Sequence, residues 1–228
     1  MPTLSFLLNS ADGYYPADVE IRQAVLAGWT GRDRAAVERH MEELAVHGVK
    51  KPPSIPVFYR CSAARLNTLE EIEVTGEDSS GEVEYVLIQT QGRLWVGTGS
   101  DQTDRKVEGY NITVSKQMCD KPIAPELWAY DELAPHWDQL ILRSWTVDDG
   151  KRELYQQSAV AAMLPPATLI EQFTGAGALP EGFAMFSGTL PAIGGLRPAQ
   201  RFEFELEDPV LGRALRHGYD IRTLPVIG

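Results

Sequence analysis

Residues 82–89 and 93–99 have strand character, and little more than Gln91–Gly92 separates them. A gap that short permits only an antiparallel hairpin, and glycine suits the positive φ that a two-residue turn needs. With Thr90 facing Arg93, the pairing runs back so that Glu84 faces Gly99 and Glu82 faces Asp101. Residues i and i+2 share one face of a strand, so Glu82 and Glu84 lie on the same side. Directly opposed side chains have Cβ atoms about 5 Å apart. The register therefore gathers three carboxylates at one place, and a slip of one residue would send Asp101 to the other face.

Like charges about 4 Å apart repel by roughly 4 kcal/mol at an effective dielectric of 20. Two routes offset such a cost: a raised pKa on one carboxyl, or a bound cation. Three oxygen ligands on strands, with further positions open to water or substrate, suit Mg²⁺ or Mn²⁺. The all-oxygen donor set argues against zinc. Gly99 and Ser100 are small and leave room beside Asp101. Spacing alone does not choose between a site and a solvated strand, because Glu-x-Glu is common on exposed sheet faces.

The rest of the chain reads largely as strand and turn. Residues 3–8 and 21–27 are short strands, followed by a helix within 31–48 that takes Asp33 as N-cap and Gly48 as its stop. Val37, Met41 and Leu44 give that helix an apolar face. Runs at 72–75 and 109–115 read as strands, 121–143 as a helical turn and then a strand. A hairpin at 139–160 turns on Asp149–Gly150, and 165–173 begins a short helix at Pro165–Pro166. In "RFEFEL", Phe202, Phe204 and Leu206 alternate with Arg201, Glu203 and Glu205, as in a half-buried strand. The expectation is a β-rich α+β chain with a helix-bearing N-terminal segment at 1–56 and one compact unit at 57–228, a size sufficient for one substantial core.

The net charge of −11 argues against a nucleic-acid partner, which draws on clustered Lys and Arg. No polybasic run suggests a membrane surface, and no apolar run approaches the roughly 20 residues of a transmembrane helix. The start lacks the pattern of a secretion signal. Cys61 and Cys119 are the only cysteines, expected as reduced thiols in a cytoplasmic protein.

Taken in order, these motifs resemble the catalytic domain of the fumarylacetoacetate hydrolase superfamily. "EVEYVLI" supplies its Glu-x-Glu strand with Glu82 and Glu84, and "SDQTDR" supplies Asp101, Thr103 and Arg105. "VSKQMCDKPIAPELW" supplies Lys116, and "FSGTLPAIGGLRPAQRFEFEL" supplies Gly188 and Thr189 ahead of a strand. Upstream, "GWTGRDRAAVERHMEELAVHGVKKPPSIPVFYR" places His40 and Glu43 on the superfamily's His-x-x-Glu pair. The chain is most similar to a small bacterial branch that carries a domain-of-unknown-function label. It departs from the pattern in the short gap between Glu84 and Asp101, in extra residues between Gly28 and His40, in Arg60 where Lys is usual, and in lacking a Gly-Asp turn before the last strand.

The resemblance implies a β-sandwich roll, a homodimer, and Mg²⁺ (alternatively Mn²⁺ or Ca²⁺) held by Glu82, Glu84 and Asp101. It implies a small 2-oxo acid chelated by the ion, with enolate-like charge stabilised next to the keto group. His40, oriented by Glu43, would move a proton from a segment that closes over the pocket. Lys116 would supply a fixed positive charge or, alternatively, a structural bridge to a nearby acid, and Arg105, Gly188 and Thr189 would bind the substrate; Arg105 alternatively braces Asp101. The first reading is a hydrolase cleaving a C–C bond of a 1,3-dicarbonyl acid. The alternatives are a decarboxylase, hydratase or dehydratase using the same site, and a non-catalytic binding module. On this reading Asp101→Ala removes metal binding and leaves the fold intact. Trp95, Trp128, Trp137 and Trp145 are expected to fill the core or an interface. Cys119 is expected to be an inert thiol, and His47, His136 and His217 carry no assigned role.

Overall fold

Alternating apolar residues along the strands bury two faces of one sheet and one face of another. The computed structural model describes residues 1–46, 52 and 54–227; of residues 40 and 43–46, only the backbone is described. Elements are numbered in chain order. The larger sheet runs β2 (Gly13–Glu20), β1 (Thr3–Ser10), β12 (Glu126–Ala129), β9 (Arg93–Ser100), β8 (Val83–Thr90), β15 (Phe183–Phe186), β3 (Gln23–Gly28) and β4 (Val57–Cys61). The second sheet runs β14 (Lys151–Ala159), β13 (Ile141–Asp148), β16 (Arg201–Asp208), β17 (Arg213–Leu224) and β6 (Glu71–Thr75). Two short pairs complete the β structure: β7 (Ser79–Ser80) with β10 (Thr103–Asp104), and β5 (Leu66–Asn67) with β11 (Lys121–Pro122).

Strand β8 lies between two apolar layers. Val83, Tyr85 and Leu87 pack toward Phe202, Phe204 and Leu206 of β16, and Val86 and Ile88 point the other way, toward Leu26, Trp95 and Phe186. Glu84 continues the second row and is 2% exposed. The predicted register holds: Thr90 pairs with Arg93 and Glu84 with Gly99. Beyond the last paired residues, Asp101 N donates to Glu82 O at 2.9 Å. At the turn Gln91 has φ 54° and Gly92 φ 71°, the left-handed pair that matches the twist of the flanking strands.

Helix α1 (Arg34–Val46) begins where predicted, with Asp33 Oδ1 accepting from Ala36 N. Its expected stop, Gly48, lies outside the described residues. Helix α5 (Pro166–Thr174) and the β13–β14 hairpin also match. Residues 1–56 contribute β1, β2 and β3 to the sheet that carries the Glu82–Asp101 hairpin.

One strand is not read from the sequence, and one reading of local structure is corrected. Residues 13–20 form a strand although they show no apolar alternation; β2 pairs with β1 and is exposed along most of its length. Residues 109–115 are not a strand. Helix α2 (Arg105–Glu108) is capped by Asp104 Oδ1 on Val107 N, and α3 (Ile112–Met118) by Asn111 Oδ1 on Val114 N. Side-chain capping of the first free N–H groups favoured helix where apolar spacing suggested strand. A further short helix, α4 (Tyr130–Leu133), falls in the segment expected to hold a helical turn.

Trp95, Trp128 and Trp137 are buried in the core, and Trp145 is half-buried beneath the Arg152 guanidinium, 3.7 Å away. Cys61 and Cys119 are both free and buried. No helix among the described residues is long and apolar enough to cross a membrane.

His136 and His217 serve the fold. His217 Nε2 lies 3.0 Å from Leu69 O. His136 Nε2 lies 3.0 Å from Oδ1 of Asp208, a carboxylate with no exposed surface that also accepts from Val210 N and Leu211 N. Burial alone would raise the Asp208 pKa; the Leu211 N–H, His136 and Arg213 outweigh it and hold the carboxyl below its usual range. A depressed folded-state pKa stabilises above the unfolded value of about 3.9 and is lost as pH falls through the folded value. Asp208→Asn is accordingly expected to lower the urea midpoint at pH 7, with the deficit shrinking in titrations below about pH 4.

Candidate metal centre

The hairpin and the segment after it build the site. Glu84 comes from β8, Glu82 from the position just before it, and Asp101 from the position just after β9. One carboxylate oxygen from each lies within 4.8 Å of the others. Asp101 has no exposed surface, and the Glu82 side chain is 14% exposed.

Each carboxylate has a separate holder. Glu84 Oε2 accepts from Gly188 N at 2.7 Å. Glu82 Oε1 lies 3.3 Å from Arg105 Nη2, and its Oε2 lies 3.8 Å from Lys116 Nζ. Asp101 Oδ2 accepts from Lys116 Nζ, and Oδ1 lies 3.2 Å from Thr103 Oγ1 and 3.3 Å from Lys121 Nζ. Arg105 also donates to Ser80 Oγ at 2.7 Å and to Glu108 Oε2 at 2.9 Å.

Burial dominates the proton affinities, and the neighbours set the differences. Desolvation, then the Asp101 charge, pushes Glu84 well above the usual carboxyl range. Burial raises Glu82 as well, although Arg105 and Lys116 oppose it. Burial would also raise Asp101, but Lys116 and Lys121 outweigh it and hold Asp101 low. The Lys116 ammonium loses hydration on burial, and the charge of Asp101 more than restores its affinity for the proton.

These residues fit a hard divalent cation. The donors are three carboxylates with no sulfur or imidazole among them, and the positive charge of an ion would offset the burial that disfavours the ionised form of Glu82 and Glu84.

The sequence expectation placed nine residues here, and the structure brings six of them together: Glu82, Glu84, Asp101, Arg105, Lys116 and Gly188. Arg105 turns to Glu82 and Glu108, and its charge also helps to hold Asp101 low without touching it. Thr189 lies next to the cluster with its hydroxyl donating to Val83 O at 2.8 Å and accepting from Gln156 Nε2 at 2.9 Å. His40 and Glu43 are on α1, and their side chains lie outside the described residues. Burial raises the Cys119 thiol pKa, which disfavours the reactive thiolate.

Two charged groups of the site were not anticipated. Glu108 is a partner of Arg105, and Lys121 is a completely buried contact of Asp101. Neither has a sequence signature: Glu108 sits in a charged helical turn, and Lys121 is a single lysine before Pro122.

Comparison with known proteins identifies the family and the fold. The model of the family described as protein of unknown function (DUF2848) matches residues 27–219. No curated protein sequence matches the chain significantly. Among solved structures, the chain resembles Cg1458 with inhibitor at a TM-score of 0.68 and 16% identity, covering 93% of this chain and 81% of that one. It resembles 2-keto-3-deoxy-D-arabinonate dehydratase complexed with magnesium and 2,5-dioxopentanoate at 0.65 and 14%, covering 92% and 77%. Yeast ynq8, a fumarylacetoacetate hydrolase family protein, matches at 0.64 and 16%, covering 91% and 95%.

Proposed function

The chain belongs to the DUF2848 family and has a fumarylacetoacetate hydrolase-like fold, and from that premise we propose that it is a divalent-metal-dependent enzyme acting on a small 2-oxo acid. The observation that carries the reading is the set of three carboxylate oxygens within 4.8 Å of one another, beside the buried ammonium of Lys116. Glu82, Glu84 and Asp101 would hold Mg²⁺, with Mn²⁺ or Ca²⁺ as substitutes. The bound ion would supply Lewis-acid stabilisation of negative charge developing beside the keto group.

The protein's own groups divide the remaining work. Gly188 N–H aims one Glu84 oxygen, and Arg105 anchors Glu82. Lys116 is a fixed positive charge at the edge of the cluster, suited to a substrate carboxylate or a developing oxyanion. Gly188 and Thr189, beside the cluster, are proposed to bind the substrate together with Arg105. His40 and Glu43, one turn apart on α1, are proposed as the proton-transfer pair. The enzyme is proposed to work as a cytoplasmic homodimer.

Hydrolysis of a C–C bond in a 1,3-dicarbonyl acid is the first reading of the reaction. Lyase chemistry is the second, favoured by the similarity to a dehydratase structure that holds magnesium and 2,5-dioxopentanoate. A non-catalytic binding module on the same scaffold is the third reading, and metal binding with no turnover of any acid would favour it. The test is a screen of 2-oxo and 1,3-dicarbonyl acids with Mg²⁺, products identified by NMR, run on wild type and Glu84→Gln. We expect turnover that EDTA abolishes and that Glu84→Gln lowers by at least about a hundredfold, as for loss of several kcal/mol of charge stabilisation. Two carbonyl products mark hydrolysis, and water or CO₂ loss marks a lyase. Turnover that persists undiminished in Glu84→Gln would sink the metal assignment.

A further inference from the structure

Lys121 stands apart from every other lysine described, because none of its surface is exposed. Its Nζ donates to Gln102 O at 2.6 Å and Cys119 O at 2.9 Å, and lies 3.3 Å from Asp101 Oδ1. Three acceptors match the three donors of an ammonium, so the group is saturated where it is. A buried charge is retained only when paired and hydrogen-bonded, and this one is committed to a proposed metal ligand.

The consequence for Asp101 is a division of labour between its oxygens. Oδ1 is engaged by Thr103 Oγ1 and Lys121, which turns Oδ2 toward Lys116 and the glutamates. Counted with every group ionised, Glu82, Glu84, Asp101 and Glu108 are met by the cations Lys116, Lys121 and Arg105. The cluster therefore carries at most about one negative charge, where three carboxylates alone would present up to three. A divalent ion reverses that sign, and an anionic chelator restores it.

Resting on the metal reading above, we propose that Lys121 is a positioning residue that fixes Asp101 through Oδ1 and, as an internal positive charge, keeps the site's affinity for a divalent ion low until an anionic chelating substrate binds with it. Metal and substrate then load together. An enzyme of this kind does not hold its ion as a permanent structural element.

The test uses the full chain and Mn²⁺ as probe, with free and bound ion quantified by electron paramagnetic resonance, with and without oxalate. Wild type is expected to bind Mn²⁺ at least about tenfold more tightly in oxalate, and Lys121→Met and Lys121→Gln to bind Mn²⁺ alone at least about tenfold more tightly than wild type, with a smaller gain from oxalate. A variant that folds only when Mn²⁺ is added also supports the proposal, since the ion then replaces the lost charge. Folded variants with unchanged or weaker Mn²⁺ binding overturn it, as do variants that fail to fold with Mn²⁺ present, because Lys121 would then be structural. Failure of wild type to bind Mn²⁺ even with oxalate present, or binding that Glu84→Gln leaves intact, overturns the metal reading itself and is thereby distinguished.

Discussion

Replacing Asp101 by alanine is expected to cost about 3–5 kcal/mol of folding stability, the range for removing one partner of a buried ion pair. Asp101 is fully buried and touches both Lys116 and Lys121. Alanine would leave both ammonium groups facing a low-dielectric interior, Lys121 retaining only its two carbonyl acceptors. This reverses the expectation from sequence that the substitution spares the fold. Urea titration read by fluorescence and circular dichroism measures the loss. An alanine variant as stable as wild type would mean that the lysines are not held by this carboxylate. For the same reason Glu84→Gln is the better probe of metal binding, since an amide keeps the shape and can still accept from Gly188 N.

Gly188→Ala is expected to impair stability and site together. Its φ is 84°, in the region that costs an L-residue roughly 1–2 kcal/mol. A Cβ there would stand 2.3 Å from Thr30 Oγ1 and 3.0 Å from Ala27 O. The Thr30 hydroxyl is buried and the Ala27 carbonyl belongs to β3, so the collision is relieved only by moving backbone. We expect a total loss of about 2–4 kcal/mol, within the range of substitutions at strained or overpacked positions. The Gly188 N–H holds Glu84 Oε2, so Mn²⁺ affinity should fall with it. Adding Thr30→Ala removes one obstacle and leaves the φ cost and the Ala27 carbonyl, so the double variant should recover only part of the lost stability. Full recovery would show that the hydroxyl alone was responsible.

The reach of the sequence follows the range of the forces involved. A two-residue turn and a period of two determine register without reference to the rest of the chain, which is why the approach of Glu82, Glu84 and Asp101 was legible from residues 82–101. The half-buried strand at Phe202–Leu206 and the Asp33 cap of α1 were legible on the same local grounds. Strand β2 was not, because its residues show no alternation and it exists by pairing with β1. Residues 109–115 misled because apolar spacing was read without the Asp104 and Asn111 caps.

The placement of charge around the carboxylates belongs wholly to the tertiary structure. Lys121 reaches Asp101 because β11 pairs with β5 and the following residue bridges to Gly99, contacts that join segments far apart in the chain. Gly188 reaches Glu84 because β15 lies beside β8. Residue type and spacing determined that three acids would meet. Which cations met them, and how deeply all were buried, depended on long-range packing, since a charge's energy is set by whatever surrounds it in space.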